Sequence, residues 1–124
     1  MNNGLSSYIN GLVNMISSVS KKIGYSFIEG YCLLKDDFKE EFCNNFKIKD
    51  FKLEEVNNNY LSDYIEDDLI ENLLYWLHIR IGKEIKYYTI DNLDLKNTLF
   101  YIVDDIVVIE YDKYMVCLII GNNE

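Results

Sequence analysis

Histidine, cysteine and clustered carboxylates are the residues of this chain whose chemistry could support catalysis or metal binding. The only histidine is His78, and a general base at that position needs a nucleophile and an orienting carboxylate within hydrogen-bond distance. No sequence motif places a serine or a cysteine beside it. Cys32, Cys43 and Cys117 form an odd set without CxxC spacing, which argues against a disulfide framework and a zinc site. We therefore predict no catalytic residue, and three reduced thiols that are mostly buried.

Four carboxylates lie in the C-terminal third of the chain, at the breaks between apolar segments. They are Asp104, Asp105, Glu110 and Asp112. Their spacing lacks the ligand pattern and the glycine of an EF-hand loop, so we predict that they form turns and bind no metal. The chain also lacks glycine-rich phosphate-binding motifs, HExxH and GxSxG. We therefore expect neither an enzyme activity nor a cofactor.

The clearest helix signal coincides with the densest block of negative charge, in residues 62–82. Carboxylates near its first turn suit the helix dipole, Ser62 is the expected N-cap, and Gly82 is the expected terminator. One arc of this helix is apolar and should face a core. Its members are Ile65, Leu69, Leu73, Trp76, Leu77 and Ile81. Truncating a buried Trp76 to alanine should cost about 3–5 kcal/mol and nearly unfold the protein.

The opposite arc of the same helix combines carboxylates with tyrosines. Exposed tyrosine offers a large contact area at little entropic cost and is enriched at protein interfaces. We interpret this arc as a partner-binding face, although the helix dipole alone also explains acidic residues at a helix start. The candidates are Tyr64, Asp67, Asp68, Glu71, Tyr75 and His78. The four carboxylates of the C-terminal third are the secondary candidates.

Length and composition bound the class of protein. A chain of 124 residues, 49% hydrophobic and 15% aromatic, can bury a core but is too short for two ordinary domains, so residues 1–124 should form one domain. The sequence shows neither a signal peptide nor about 18 consecutive apolar residues, which predicts a soluble cytoplasmic protein. The net charge of −9 disfavours nucleic acid and anionic membranes as partners and favours a cationic protein.

Hydrophobic periodicity outside the central helix predicts two further helices and several strands. Helical spacing extends over residues 5–23 and 36–46, and the second of these carries a stripe of three phenylalanines. Residues 24–34 fit a strand or an irregular segment. Residues 46–56 fit a strand bulged near Asp50, and residues 84–90 fit a further strand.

The C-terminal third carries the strongest strand signal. The segments LFYIV, IVVIEY and YMVCLII are separated by Asp104-Asp105 and by Asp112-Lys113, which predicts two tight hairpins and a three-stranded meander. The last segment is apolar on both faces and should lie inside the sheet. The complete order predicts an α+β fold, with an antiparallel sheet and helices mainly on one face.

In size, acidity, tyrosine content and lack of motifs, the chain resembles the small bacterial immunity proteins that block nuclease toxins, including those of contact-dependent inhibition systems. The resemblance implies a protein-binding inhibitor whose carboxylates meet the basic groove of a toxin while tyrosines anchor the contact. It carries over no individual residue. Three alternatives stay open: an acidic chaperone or adaptor for a secreted protein, a nucleic-acid-mimicking inhibitor, and an enzyme of unrecognised type. An AT-rich coding sequence would also explain the eleven tyrosines.

Overall fold

A five-stranded antiparallel sheet forms the centre of the protein, in a computed structural model that describes residues 3–22, 25, 27–91 and 102–122. The strand order is β1-β5-β4-β3-β2. The elements are α1 (Asn3–Val19), β1 (Phe27–Leu34), α2 (Phe38–Phe46), β2 (Lys52–Val56), a 3₁₀ turn (Tyr60–Asp63), α3 (Asp67–Ile81), β3 (Lys86–Asp91), β4 (Ile102–Glu110) and β5 (Tyr114–Asn122). The predicted α+β class is confirmed.

The sheet buries a separate apolar cluster on each face, because successive strand side chains point to opposite sides. Helices α1 and α3 cover one face, where they pack on Ile28, Val107 and Leu118 among others. Helix α2 covers the other face, where its three phenylalanines pack against Phe51 and Val108. Two of the three α-helices therefore share a face, as predicted.

Strand β5 pairs with β1 on one side and with β4 on the other. All residues from Met115 to Ile120 are buried, so the prediction of an interior strand covered on both sides is confirmed. The cysteines are free thiols, with Cys32 and Cys117 buried and Cys43 half-buried. Burial raises the pKa of Cys32 to about 12.

The outer edge of β1 is closed by polar side chains of α1. The backbone N–H of Gly30 donates to Asn10 Oδ1 at 3.0 Å, and the N–H of Cys32 donates to Ser6 Oγ at 2.9 Å. The Ser6 hydroxyl in turn donates to the Cys32 carbonyl oxygen at 3.2 Å. A Cβ on Gly30 would stand 2.7 Å from Ile9 Cγ2, so only glycine allows this close approach of helix and strand.

The prediction of a hairpin at Asp104 and Asp105 is wrong, because both residues lie inside the single strand β4. The pairing of β4 with β5 shifts register between Val103 and Asp105, which marks a bulge. Asp105 accepts hydrogen bonds from the hydroxyls of Tyr60 at 2.5 Å and Tyr64 at 2.7 Å, so its carboxylate is satisfied without a chain reversal. Residues 99–101 of the predicted first C-terminal strand lie outside the described residues.

The predicted turn at Asp112 and Lys113 is confirmed by the hydrogen bond from the Tyr111 N–H to the Tyr114 carbonyl at 2.8 Å. The meander consists of β3, β4 and β5. The strand predicted over residues 46–56 is shorter, because α2 continues to Phe46 and Lys47 then adopts a left-handed φ of 55°. Only Lys52–Val56 pairs, with β3.

Helix α3 begins at Asp67, five residues after the predicted N-cap Ser62, which lies in the 3₁₀ turn. Its N-cap position is Glu66, whose side chain bonds to the end of α1 rather than to its own helix. Glu66 Oε2 accepts from the Ser20 hydroxyl at 2.8 Å, and Oε1 accepts from the Lys21 N–H at 2.6 Å. The predicted end is confirmed, since the N–H of Gly82 donates to the His78 carbonyl at 3.0 Å.

The prediction that Trp76 is buried is wrong, because its side chain is 46% exposed. The buried residues of α3 are Ile70, Leu73 and Leu77. Trp76 lies about 100° around the helix from Leu77, on a flank that does not point directly at the sheet. Ile65 is buried but precedes the helix, while Leu69 and Ile81 are half-buried.

This placement predicts that alanine at Phe42 destabilises the protein far more than alanine at Trp76. Phe42 is fully buried, with its ring centroid 4.6 Å from that of Phe46 and 4.9 Å from that of Phe51. Phe42→Ala should lower the free energy of unfolding by about 3–5 kcal/mol, and Trp76→Ala by about 1 kcal/mol. Urea denaturation followed by circular dichroism measures both values. A loss at Trp76 as large as that at Phe42 would contradict the orientation of α3.

Candidate partner-binding surface

Helices α1 and α3 lie side by side in opposite directions on one face of the sheet. Glu66 at the start of α3 bonds to Ser20 just after α1, and the Arg80 guanidinium near the end of α3 lies 4.6 Å from the ring centroid of Tyr8. This distance allows a cation–π contact. The two contacts hold both ends of the pair together.

Five large apolar side chains of this helix pair are exposed, and we call them the helix-pair surface. They are Met15, Val19, Tyr75, Trp76 and Ile79, with exposed fractions between 46% and 60%. The rings of Tyr75 and Trp76 meet edge to face with centroids 5.5 Å apart. Single exposed apolar residues are ordinary, whereas neighbouring ones mark interaction sites.

The relative positions of these residues follow from helix geometry. Tyr8 points toward α3, and Met15 lies two turns further along the same side of α1. Arg80 points toward α1, and Trp76 lies one turn earlier on the same side of α3. Met15 and Trp76 therefore line the furrow between the two helices, while Tyr75 and Ile79 lie on the outer crest of α3.

Charge is distributed unevenly over this surface. Helix α1, Asn3–Val19, contains no charged residue. Helix α3 begins with the exposed carboxylates Asp67, Asp68 and Glu71 and carries His78 and Arg80 in its last turn. The apolar surface therefore has an uncharged side formed by α1 and carboxylates in the first half of α3, where Lys21 and Lys22 also lie close to Glu66.

Five of the six predicted partner-binding residues are exposed together on α3. They are Asp67, Asp68, Glu71, Tyr75 and His78. The expected position of Tyr64 on the outward arc is wrong, because the helix starts after it. Tyr64 is half-buried, its ring meets that of Tyr25 edge to face at 6.3 Å, and its hydroxyl donates to Asp105. Burial and Asp105 raise the pKa of Tyr64 above its usual value.

Two of the four secondary candidates are exposed to solvent, and the other two are half-buried and bound by several internal partners. Asp104 and Asp112 are exposed, with Asp104 accepting from the Asn122 amide, and Asp105 is held by two tyrosines. Glu110 accepts from Lys35 Nζ at 2.5 Å and from the Tyr88 hydroxyl at 2.7 Å. Among the described residues, no three His, Cys, Asp or Glu side chains are grouped so that they could hold a metal ion.

A cavity of about 310 Å³ opens beside the N-terminal half of α3, and we call it the acidic cleft. Its lining combines the carboxylates Asp67, Glu71 and Glu84 with Asn58, Asn59, Ser62, Ile70, Leu74 and Tyr87. Asp67, Ile70, Glu71 and Leu74 recur at helical spacing, so they form one flank of α3. The cleft lies on the flank of α3 opposite to Trp76 and α1.

Sequence reasoning missed the aliphatic and tryptophan part of the surface. Met15 and Val19 sit on a helix without charge, and that neutrality was the signal that α1 has an uncommon surface. Trp76 was assigned to the core because the apolar arc was drawn without Ile70. With Ile70 included, the buried arc centres on Leu77 and leaves Trp76 outside. Glu84 and Tyr87 could not be paired with α3 without the tertiary structure.

Comparison with family models, with curated proteins and with solved structures finds no match for this chain. None of the described helices is long and apolar enough to cross a membrane.

The geometry at Glu110 generates a pH-dependence. Hydrogen bonds from Lys35 and Tyr88 hold the pKa of Glu110 below its usual value of 4.5. A depressed carboxyl pKa stabilises the fold above the unfolded pKa, and this contribution is lost as pH falls through the folded pKa. Glu110→Gln should lower the free energy of unfolding near neutral pH by about 1 kcal/mol, since the partial exposure of Lys35 screens the pair. The difference from the wild type should disappear in strong acid.

Urea denaturation of both proteins over a series of pH values measures this effect. Asp112→Asn is the matched control, because Asp112 is exposed and sits in the turn beyond Glu110. An equal effect of both substitutions, or an effect of Glu110→Gln that persists at the lowest pH, would refute the assignment.

Proposed function

We propose that this protein is a protein-binding inhibitor that neutralises a cationic toxin, with a nuclease as the favoured class. The observation that carries the proposal is the helix-pair surface, where exposed aromatic and aliphatic side chains adjoin exposed carboxylates on one helix. Interfaces between proteins are enriched in aromatic side chains and depleted in charge at their centre. Tyr75 and Trp76 at the middle of α3 supply such a centre.

Charge and apolar contact have separate roles in this mechanism. Asp67, Asp68 and Glu71 lie at one end of the surface, and together with the net charge of −9 they attract a basic protein from solution. Such attraction increases the association rate, whereas packed aromatic anchors mainly slow dissociation. A nuclease toxin is a fitting partner because its substrate groove must be basic to accept phosphates. An acidic protein seated there would exclude the nucleic acid.

The proposed function first predicts capture and inhibition of a partner. The immobilised protein should retain a basic protein from its source cells at low salt, and adding the protein should abolish that partner's activity. Changing Asp67, Asp68 and Glu71 to Asn, Asn and Gln should slow association about tenfold at low ionic strength, with a smaller effect at moderate salt. Surface plasmon resonance measures the rates.

A matched control applies the same change in net charge elsewhere. It alters the exposed carboxylates Glu40, Glu54 and Asp112, which lie on other elements. The control should affect association much less than the α3 variant. Equal effects of the two variants would mean that net charge, and not this surface, attracts the partner. Capture of a secreted cargo whose activity is unaffected would favour the chaperone alternative.

The proposed function also predicts the effect of removing the aromatic anchors. Trp76→Ala and Tyr75→Ala should each raise the dissociation rate, by about tenfold or more, with little dependence on salt. Leu34→Ala is the control, because Leu34 is 44% exposed but belongs to β1. Circular dichroism verifies that all variants remain folded. Dissociation rates equal to that of the wild type in both aromatic variants would move the interface away from α3.

A further inference from the structure

The acidic cleft has the composition of a site for an organic cation. Asp67, Glu71 and Glu84 carry negative charge at its wall, and neither lysine nor arginine is among its lining residues. Ile70 and Leu74 of α3 supply apolar surface in the same cavity. A site with carboxylates around an apolar floor suits a side chain that has a hydrocarbon stem and a charged head.

A buried phenol in the wall of the cleft has no internal partner. Tyr87 lines the cavity and is only 4% exposed, and no hydrogen bond joins its hydroxyl to any described residue. The hydroxyl of this otherwise buried side chain is therefore available to a group that enters the cavity. Burial and the nearby Glu84 raise the pKa of Tyr87 to about 12, which keeps the hydroxyl neutral.

Glu84 also lies near a second phenol. Tyr111 is fully buried, and its hydroxyl has no hydrogen-bond partner in the described part of the chain. Burial first, and then the charge of Glu84, raise its pKa above the usual value. The carboxylate of Glu84 therefore lies at the cleft and close enough to two neutral phenols to raise the pKa of each.

We propose that the acidic cleft binds the guanidinium group of an arginine side chain of the partner protein. A planar guanidinium has five N–H donors, which can reach carboxylates on both walls and the oxygen of a phenol at once. It also stacks on aromatic rings, whereas a lysine ammonium is a compact point charge with three donors. This inference rests on the proposed function, because the arginine comes from the partner.

The position of the cleft agrees with simultaneous binding at the helix-pair surface. One flank of α3 carries Trp76 and faces α1, and the other flank carries Asp67 and Glu71 and borders the cleft. Tyr75 lies on the crest between the two flanks. A partner that packs on the crest can therefore reach both flanks, with an apolar contact on one side and an arginine on the other.

The test uses Nα-acetyl-L-arginine methylamide as the probe and the citrulline derivative as its neutral isostere. Titration of the full chain, followed by amide NMR shifts, should show saturable binding of the arginine probe in the millimolar range. The shifts should concentrate in residues 57–62, in the first half of α3 and in residues 82–87. The citrulline probe should bind at least about tenfold more weakly, because it lacks the charge that strengthens such hydrogen bonds.

Three variants locate the site. Glu84→Gln should weaken arginine binding about tenfold, and Tyr87→Phe about threefold. Tyr87→Phe removes a hydroxyl without a partner, so the free energy of unfolding should not fall. Glu54→Gln is the matched control, since Glu54 is exposed on β2 outside the cleft, and it should leave binding unchanged.

Absence of saturable shifts, equal binding of citrulline, or no effect of Glu84→Gln would each overturn the arginine site. The experiments distinguish a failure of the arginine site from a failure of the proposed inhibitor function. If a captured toxin binds equally well to the Glu84→Gln protein and to the wild type, the arginine site is wrong and the inhibitor function stands. If the probe binds as expected but the source cells contain no basic protein that the chain retains, the guanidinium site stands and the inhibitor function falls.

Discussion

The close approach of α1 to strand β1 is the contact on which the helix-pair surface depends. Gly30 has no side chain, so Ile9 can pack directly on the strand, and Ser6 and Asn10 satisfy backbone groups at the strand's outer edge. This docking fixes α1 on the same face as α3. Met15 and Val19 then lie beside α3 because the buried side of α1 is already occupied by the sheet.

The start of α3 is fixed by polar contacts rather than by a helix cap. Glu66 bonds to the chain end of α1, and Asp105 at the bulge of β4 accepts hydrogen bonds from Tyr60 and Tyr64 in the preceding turn. Half-buried carboxylates with several donors are well satisfied, and such networks specify one arrangement. The same turn supplies Ser62 to the acidic cleft, so the bulge in the sheet helps to shape a cavity on its helical face.

Local patterns in the sequence predicted much of the fold. Three predictions that depend only on neighbouring residues are confirmed. They are the phenylalanine stripe of α2, the strand β5 that is apolar on both faces, and the helix terminator Gly82. Asp104 and Asp105 misled because a carboxylate pair in an apolar run signals a turn, unless tertiary donors such as Tyr60 satisfy it. Ser62 misled for a related reason, since the bond between Glu66 and α1 placed the helix start later.

The candidate site was predictable in part. The exposed residues of α3 followed from its periodicity, but Trp76 was misplaced because a helix flank can face either a core or solvent, and only the neighbouring helix decides. Met15 and Val19 join the surface through the packing of α1 against α3, and Glu84 and Tyr87 join the cleft through the chain that follows α3. These juxtapositions are tertiary and leave no spacing in the sequence.

The central claim is that a partner covers the furrow and crest formed by α1 and α3. Hydroxyl-radical footprinting of the free protein and of the complex with the captured partner tests it directly, because Met15, Tyr75 and Trp76 are exposed and oxidise readily. The account predicts that oxidation of all three falls together in the saturated complex, while oxidation of Tyr88 on the opposite face of the sheet is unchanged. Unaltered oxidation of Met15 and Trp76 in a saturated complex would contradict it.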